Sequence, residues 1–346
     1  MMQKMISKDK ISKFISVLQK EYKIFGPVRE KGDIVFKEVQ SADEMDLDYL
    51  NSKIPPKSVL FPMVDTLFSY KKDGEKVEII ENKPYNKVVI FGIRPCDAQS
   101  FYLLHNFFNF GKFKDPNFLD RLLNTVLIGI GCLNPRNTCF CTSVNGGPFN
   151  SEHVDILLTK FKENYFIASS TDDGDVILKK MDFLSDAKDS DVKEIEEMQK
   201  KVESSIKIIE DLEDLHKILD NMYEDPLWEE CALGCLGCGT CSYLCPTCHC
   251  FDVVDENKPD GSGRRVRIWD TCQFPLFTLE TSGHNPRTNK IQRARQRIYH
   301  KFNYYPKNYN LIGCVGCGRC ILYCPVSNDV RETFSKIKKA PSKTEG

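Results

Sequence analysis

Residues 235–246 read CLGCGTCSYLCP, and residues 314–325 read CVGCGRCILYCP. Each is Cys-x2-Cys-x2-Cys-x3-Cys-Pro, the bacterial run that holds cubane iron–sulfur clusters. Together they use eight of the sixteen cysteines. Three thiolates at this spacing let the backbone wrap one corner of a [4Fe–4S] cube. The fourth cysteine lies a helical turn further on and points away, so in two-cluster proteins it ligates the other cluster. The spacing therefore predicts Cys235, Cys238, Cys241 and Cys324 on one cluster, and Cys314, Cys317, Cys320 and Cys245 on the second. Glycines on both sides of Cys238 and of Cys317 keep the backbone slim enough for amide N–H groups to approach cluster sulfurs. Pro246 and Pro325 turn the chain away after the fourth cysteine. Structural zinc pairs two well-separated Cys-x2-Cys halves, so four cysteines in one short run, twice over, fit it poorly. Disulfides suit a secreted chain.

The rest of the composition bounds the function. The 346 residues leave room for two or three domains. With 48 basic and 49 acidic side chains the net charge is −1, which makes no global case for nucleic acid or an anionic membrane as partner. No apolar run is long enough for a membrane span. The opening MMQKMISKDKISKFISVLQKEY carries Ile11, Phe14, Ile15 and Leu18 at helical spacing rather than a signal peptide. Abundant thiols without an export signal predict a reducing cytoplasm, and oxygen-sensitive cubanes predict an anaerobic setting.

Outward from the cysteine runs, residues 8–22 are expected as an amphipathic helix. Ile34–Val39, Val59–Phe61 and Val77–Ile80 are expected as short strands, the last after a turn at Lys72–Gly74. The continuous apolar run 87–93, KVVIFGI, reads as a buried parallel strand. A helix from about Ala98 to Phe108 and a second apolar run, Val126–Ile130, complete a βαβ unit. No Gly-rich dinucleotide fingerprint or P-loop follows either strand. Residues 132–148, CLNPRNTCFCTSVNGGP, form a loop, and Val154–Leu158 with Tyr165–Ala168 form a hairpin. Residues 186–222 are acidic and lysine-rich with a helical apolar stripe, and read as a solvated helix linking two halves. Residues 287–302 read as a helix carrying Arg287, Lys290, Arg293, Arg295, Arg297 and Lys301. These cations attract an acidic partner, offset cluster charge, or form an ordinary exposed face. The 68 residues between Cys245 and Cys314 exceed a compact bacterial ferredoxin and suggest a helical ferredoxin fold. The expected architecture is an α/β (α+β) N-terminal domain at 1–182, a helical linker at 183–227, and a mainly helical two-cluster ferredoxin domain at 228–346.

Two further thiol groups are candidate metal centres. In a right-handed βαβ unit both strand ends lie on one sheet edge, where open α/β sheets put their sites. Cys96 and Cys132 follow those strands, and Cys139 and Cys141 sit on the loop leaving that edge. Four such thiols suit a third [4Fe–4S] cluster or zinc; the alternative is a core residue and two loop thiols. Cys248 and Cys250, with His249 between them, can join Cys272 in a zinc site or pack as small buried thiols beside the cluster.

With these residues in view, the chain resembles the beta subunit of soluble NiFe sulfhydrogenases and the related iron–sulfur subunit of anaerobic sulfite reductase. The likeness is carried by Arg94-Pro95-Cys96-Asp97, Cys132 with Cys139-Phe140-Cys141-Thr142-Ser143, Cys245-Pro246-Thr247-Cys248-His249-Cys250-Phe251, Trp269-Asp270-Thr271-Cys272, Gly283-His284 and the second cluster run. It extends over nearly the whole length. Arg94-Pro95 and Asn134-Pro135 lean toward the hydrogenase branch. The resemblance implies a non-catalytic electron-transfer subunit. Its implied partners are a ferredoxin-reductase-type flavoprotein, which handles NAD(P)H, together with a catalytic module of hydrogenase, sulfite reductase or heterodisulfide-reductase-like type. Two cubanes without a nucleotide fingerprint agree, with no flavin or NAD expected on this chain. An iron–sulfur sensor or scaffold is the rival of another class. It calls for a strongly basic, DNA-reading domain.

Overall fold

The computed structural model describes residues 1–81, 85–209 and 212–340; Glu210 and Asp211 of the expected linker helix lie outside them. Along the chain run β1 (Gln3–Ser7), α1 (Ile11–Leu18), β2 (Lys23–Glu30), β3 (Asp33–Glu38), α2 (Lys57–Leu60), β4 (Val64–Asp73), β5 (Lys76–Ile80), β6 (Val88–Ile93), α3 (Pro95–Phe108), α4 (Pro116–Leu123), β7 (Thr125–Ile130), β8 (Ile156–Phe161), β9 (Asn164–Ser169), α5 (Asp172–Lys179), β10 (Ser185–Asp186) and α6 (Asp189–Ser204). There follow α7 (Leu215–Leu219), α8 (Leu227–Ala232), α9 (Thr240–Tyr243), β11 (Phe251–Asn257), β12 (Ser262–Trp269), α10 (Lys290–Tyr299), a π turn over His300–Tyr304, α11 (Tyr305–Tyr309), α12 (Arg319–Leu322) and α13 (Val330–Lys339). Two compact units result. Unit 1 holds Met1–Leu60, Pro84–Ile208 and Val315–Cys317; unit 2 holds Phe61–Lys83, Ile209–Cys314 and Gly318–Gly346.

Unit 1 is built on an eight-stranded sheet of order β10-β1-β9-β8-β7-β6-β2-β3. The β2–β6, β6–β7 and β7–β8 pairs are parallel and the others antiparallel. The run at Val89–Ile93 is buried throughout, as a central parallel strand requires. Helix α3 starts at Pro95, whose missing N–H costs nothing at a first helical position. The expected βαβ unit and the hairpin β8–β9 are both present. Three expectations are corrected. The first helix spans only Ile11–Leu18 behind a 3-10 turn at Lys8–Lys10, and the residues before it form β1, which pairs with β9. Val59–Phe61 is no strand: Pro55 and Pro56 accept from the N–H groups of Ser58 and Val59 and wind the chain into α2. Helix α6 is not solvated all round, because Ile195 is buried against Phe161 and Phe166.

Unit 2 combines helices with a four-stranded antiparallel sheet of order β11-β12-β4-β5. Residues 251–269, within the stretch expected to be mainly helical, form strands instead. These strands lack an apolar face to read: Arg264 pairs with Glu256 and Arg265 with Asp255 across β11–β12. Their core includes a buried ion pair, Arg267 Nη2 to Asp65 at 2.8 Å, with both side chains 2% exposed. The Arg267 guanidinium also lies over the rings of Phe61 and Phe251, and Trp269 stacks on Phe61 and donates to its carbonyl. Helices α8 and α10 pack together through Trp228 and Tyr299, and Phe302 meets Phe334 of α13 edge-on.

Candidate iron–sulfur centres

Each cysteine run folds as a loop followed by a single helical turn. Gly239 and Gly318 take left-handed φ angles of 76° and 72° as the caps of α9 and α12. That conformation aims successive backbone N–H groups inward. A side chain at Gly239 is further blocked by Thr271 and Phe274.

In unit 2, Cys235, Cys238, Cys241 and Cys324 line one cavity of about 90 Å³, together with Arg297 and Cys320. The fourth cysteine of the second run thus faces the first three of the first run. Four thiols around one cavity are the donor set a cubane takes, so the residues fit such a group. Backbone N–H groups already reach two of the sulfurs, Gly237 to Cys235 Sγ at 3.4 Å and Asn328 to Cys324 Sγ at 3.3 Å. Of the second set, Cys245, Cys314 and Cys320 belong to unit 2 and Cys317 to unit 1.

The basic stripe on α10 is a correction to the exposed-face reading. Arg293, Arg295 and Lys301 are buried. Arg295 holds the Tyr223 carbonyl and Glu224. Arg293 holds the carbonyls of Arg287 and Thr288. Arg297 Nη1 lies 3.5 Å from Cys248 Sγ. Burial works against its charge, yet the thiols of Cys241, Cys248, Cys320 and Cys245 hold its pKa well above the ordinary value. Lys301 behaves alike: burial opposes its charge, and Cys245 and Cys248 raise its pKa nonetheless. Its Nζ donates to Thr247 Oγ1 at 2.6 Å and to the Gly313 carbonyl at 2.9 Å, and Thr247 Oγ1 lies 3.2 Å from Cys245 Sγ. A hydrogen bond with Cys248 and the charges of Lys301 and Arg297 hold the Cys245 thiol well below its usual range despite its burial. Sequence reasoning missed Thr247 and Lys301 as a pair, since no periodicity links positions so far apart. Cys231, which also lines the first cavity, gave no spacing signal either.

The remaining thiols fall into two places. Cys250 and Cys272 are adjacent: a hydrogen bond from Cys250 brings the Cys272 thiol down to about 5, with Gln273 and Ser242 assisting. A hydrogen bond with Cys245 and burial raise the Cys248 thiol, and its charge bears on Cys250 as well. In unit 1, Cys96, Cys132, Cys139 and Cys141 line one pocket of about 30 Å³ with Arg94 and Arg136. Burial and the neighbouring thiols of Cys139 and Cys132 push Cys141 up to about 12. Burial raises Cys132 as well, against the pull of Arg94. Among the described residues, no three His, Cys, Asp or Glu side chains stand close enough for a single metal ion.

Comparison with known proteins follows the same lines. The family model of a 4Fe-4S dicluster domain matches residues 234–328. Sulfhydrogenase 2 subunit beta of Pyrococcus furiosus is 32% identical over 327 residues, which cover 94% of this chain and 95% of that one. No solved structure matches. No helix among the described residues is long and apolar enough to cross a membrane.

Proposed function

Because the chain belongs to the sulfhydrogenase beta-subunit family, we propose that it is an electron relay, carrying electrons between a flavoprotein that handles NAD(P)H and a catalytic subunit of NiFe hydrogenase type. The observation that carries this reading is the cavity of unit 2, where Cys324 of the second run stands with Cys235, Cys238 and Cys241 of the first. Crossed runs interlock two clusters, and close spacing is what stepwise electron transfer needs. Cubanes accept and release one electron at a time, at potentials set by burial and hydrogen bonds. The protein's part is to hold the thiolates and surround them with N–H donors and buried cations. Cys245, Cys314, Cys317 and Cys320 are the ligands of the second cluster in this reading, and the part of unit 2 that grips both is its helical portion around α9, α10 and α12. Cys248, Cys250 and Cys272 act as thiols packed and hydrogen-bonded around the centres. The setting is a cytoplasmic, anaerobic complex.

The test is low-temperature EPR of the dithionite-reduced chain. Cys324→Ser changes the signal of the cluster held by Cys235, Cys238 and Cys241, and Cys245→Ser changes the other. If each substitution alters only the cluster of its own run, the crossed ligation is wrong.

A further inference from the structure

The pocket of unit 1 is a second kind of thiol site, remote in sequence from the first cysteine run. Strand β6 ends at Ile93, and the chain enters α3 at Pro95 with Cys96 in the first helical turn. Strand β7, parallel to β6, ends at Ile130, and Cys132 follows. The loop after it returns Cys139 and Cys141 to the same edge, its N–H at Cys132 tied to the Pro148 carbonyl at 2.9 Å. Residues 315–317 close the site. Phe140 N–H donates to the Gly316 carbonyl at 2.8 Å, and Asn51 Nδ2 donates to the Cys317 carbonyl at 3.2 Å. Gly316 has φ 61°, and a Cβ there would lie 2.5 Å from Cys141 N and from Phe140 C, so the loop is clamped against bare backbone.

The lining is built for negative charge. Arg94 is 6% exposed, and its Nη1 is fixed by the carbonyls of Ile130 and Gly131. Its guanidinium lies over the Tyr49 ring. Arg94 Nε, Arg136 Nε and Thr142 Oγ1 are buried and make no hydrogen bond among the described residues. A buried, unsatisfied N–H next to a thiol set marks a missing acceptor. The N-terminus of α3, fourteen residues long, adds a positive dipole end at Cys96.

We infer that Cys96, Cys132, Cys139 and Cys141 hold a third [4Fe–4S] cluster, with Arg94 and Arg136 as its countercharges. Zinc is disfavoured by geometry. A tetrahedral ion draws four thiolates to about 2.3 Å from one point, and here no three thiols are grouped for one ion. The first-run cysteines, within the matched dicluster domain, are likewise not grouped for a single ion. A cubane spreads its four ligands over separate irons and suits both arrangements. Within the relay proposed above, on which this last step rests, the cluster adds a station in unit 1.

The test counts iron and zinc in the full chain after anaerobic reconstitution with iron and sulfide. Wild type is compared with Cys139→Ser/Cys141→Ser and with Cys96→Ser, and Mössbauer spectra are taken alongside. The inference predicts about twelve irons per wild-type chain and about eight in either variant. The wild-type count stands even if a variant fails to fold. About eight irons in wild type and in both variants overturns the third cluster and leaves the two-cluster reading intact. About twelve in all three also overturns it, by placing the cluster elsewhere. Zinc retained in wild type and lost in the variants overturns it in favour of a zinc site. About eight in wild type and four in the variants upholds this site and removes one cluster of the dicluster pair instead.

Discussion

Arg297 lines the first cavity and faces thiols of both cysteine runs. A fixed positive charge there favours the reduced, more negative state of a cluster. Arg297→Gln should lower the midpoint potential of the adjacent cluster by on the order of 100 mV, the work of one charge several ångströms away at an effective dielectric near 20. Arg297→Lys should recover part of the shift. A spectroelectrochemical titration that finds all three proteins alike would remove Arg297 from the account. The two cysteine runs were legible in the sequence because their spacing is local. The cations were legible only as a stripe. Their burial depends on which face α10 turns inward: Arg295 and Lys301 donate to Tyr223 and Thr247, distant in the chain, while Arg293 donates to the nearby carbonyls of Arg287 and Thr288.

At the scale of elements, apolar runs reported themselves and polar strands did not. β6 and β7 are continuous hydrophobic segments, and the reading of 87–93 and 126–130 places both. β4 and β12 pair over nearly two hundred residues of chain, and their contact includes a buried ion pair, Arg267 with Asp65. Asp65→Ala strands the Arg267 guanidinium without its partner in a buried site. The expected cost is about 3–5 kcal/mol, read as a lower denaturant midpoint of the cluster-loaded chain. The matched exchange Asp65→Leu with Arg267→Met should cost much less, and equal losses in the two would show that the pair is not the cause. Gly316→Ala is the corresponding test at the turn in unit 1. Its Cβ meets the backbone of Phe140 and Cys141, so the loop must move. Iron content should fall by about one cluster or more, while Gly234→Ala, with open space at its Cβ, should leave it unchanged.

For the molecule as a whole, the sequence carried the iron–sulfur character of the cysteine runs and the α/β character of the N-terminal part. It did not carry the path of the chain. Residues 61–83 fold with unit 2 although they precede most of unit 1, and residues 315–317 fold with unit 1 although they sit inside the second cysteine run. Such exchanges are set by pairing between distant segments, which leaves no local periodicity. The proposed relay is best tested in the complex purified with the proposed flavoprotein and hydrogenase partners. NAD(P)H-linked hydrogen turnover is compared with two half-reactions driven by artificial dyes: NAD(P)H oxidation and hydrogen oxidation. The account predicts that Cys324→Ser, or Cys245→Ser, lowers the linked turnover at least tenfold while both dye-driven half-reactions keep their wild-type rates. Linked turnover that survives at the wild-type rate in a complex whose clusters at these positions are lost would contradict it.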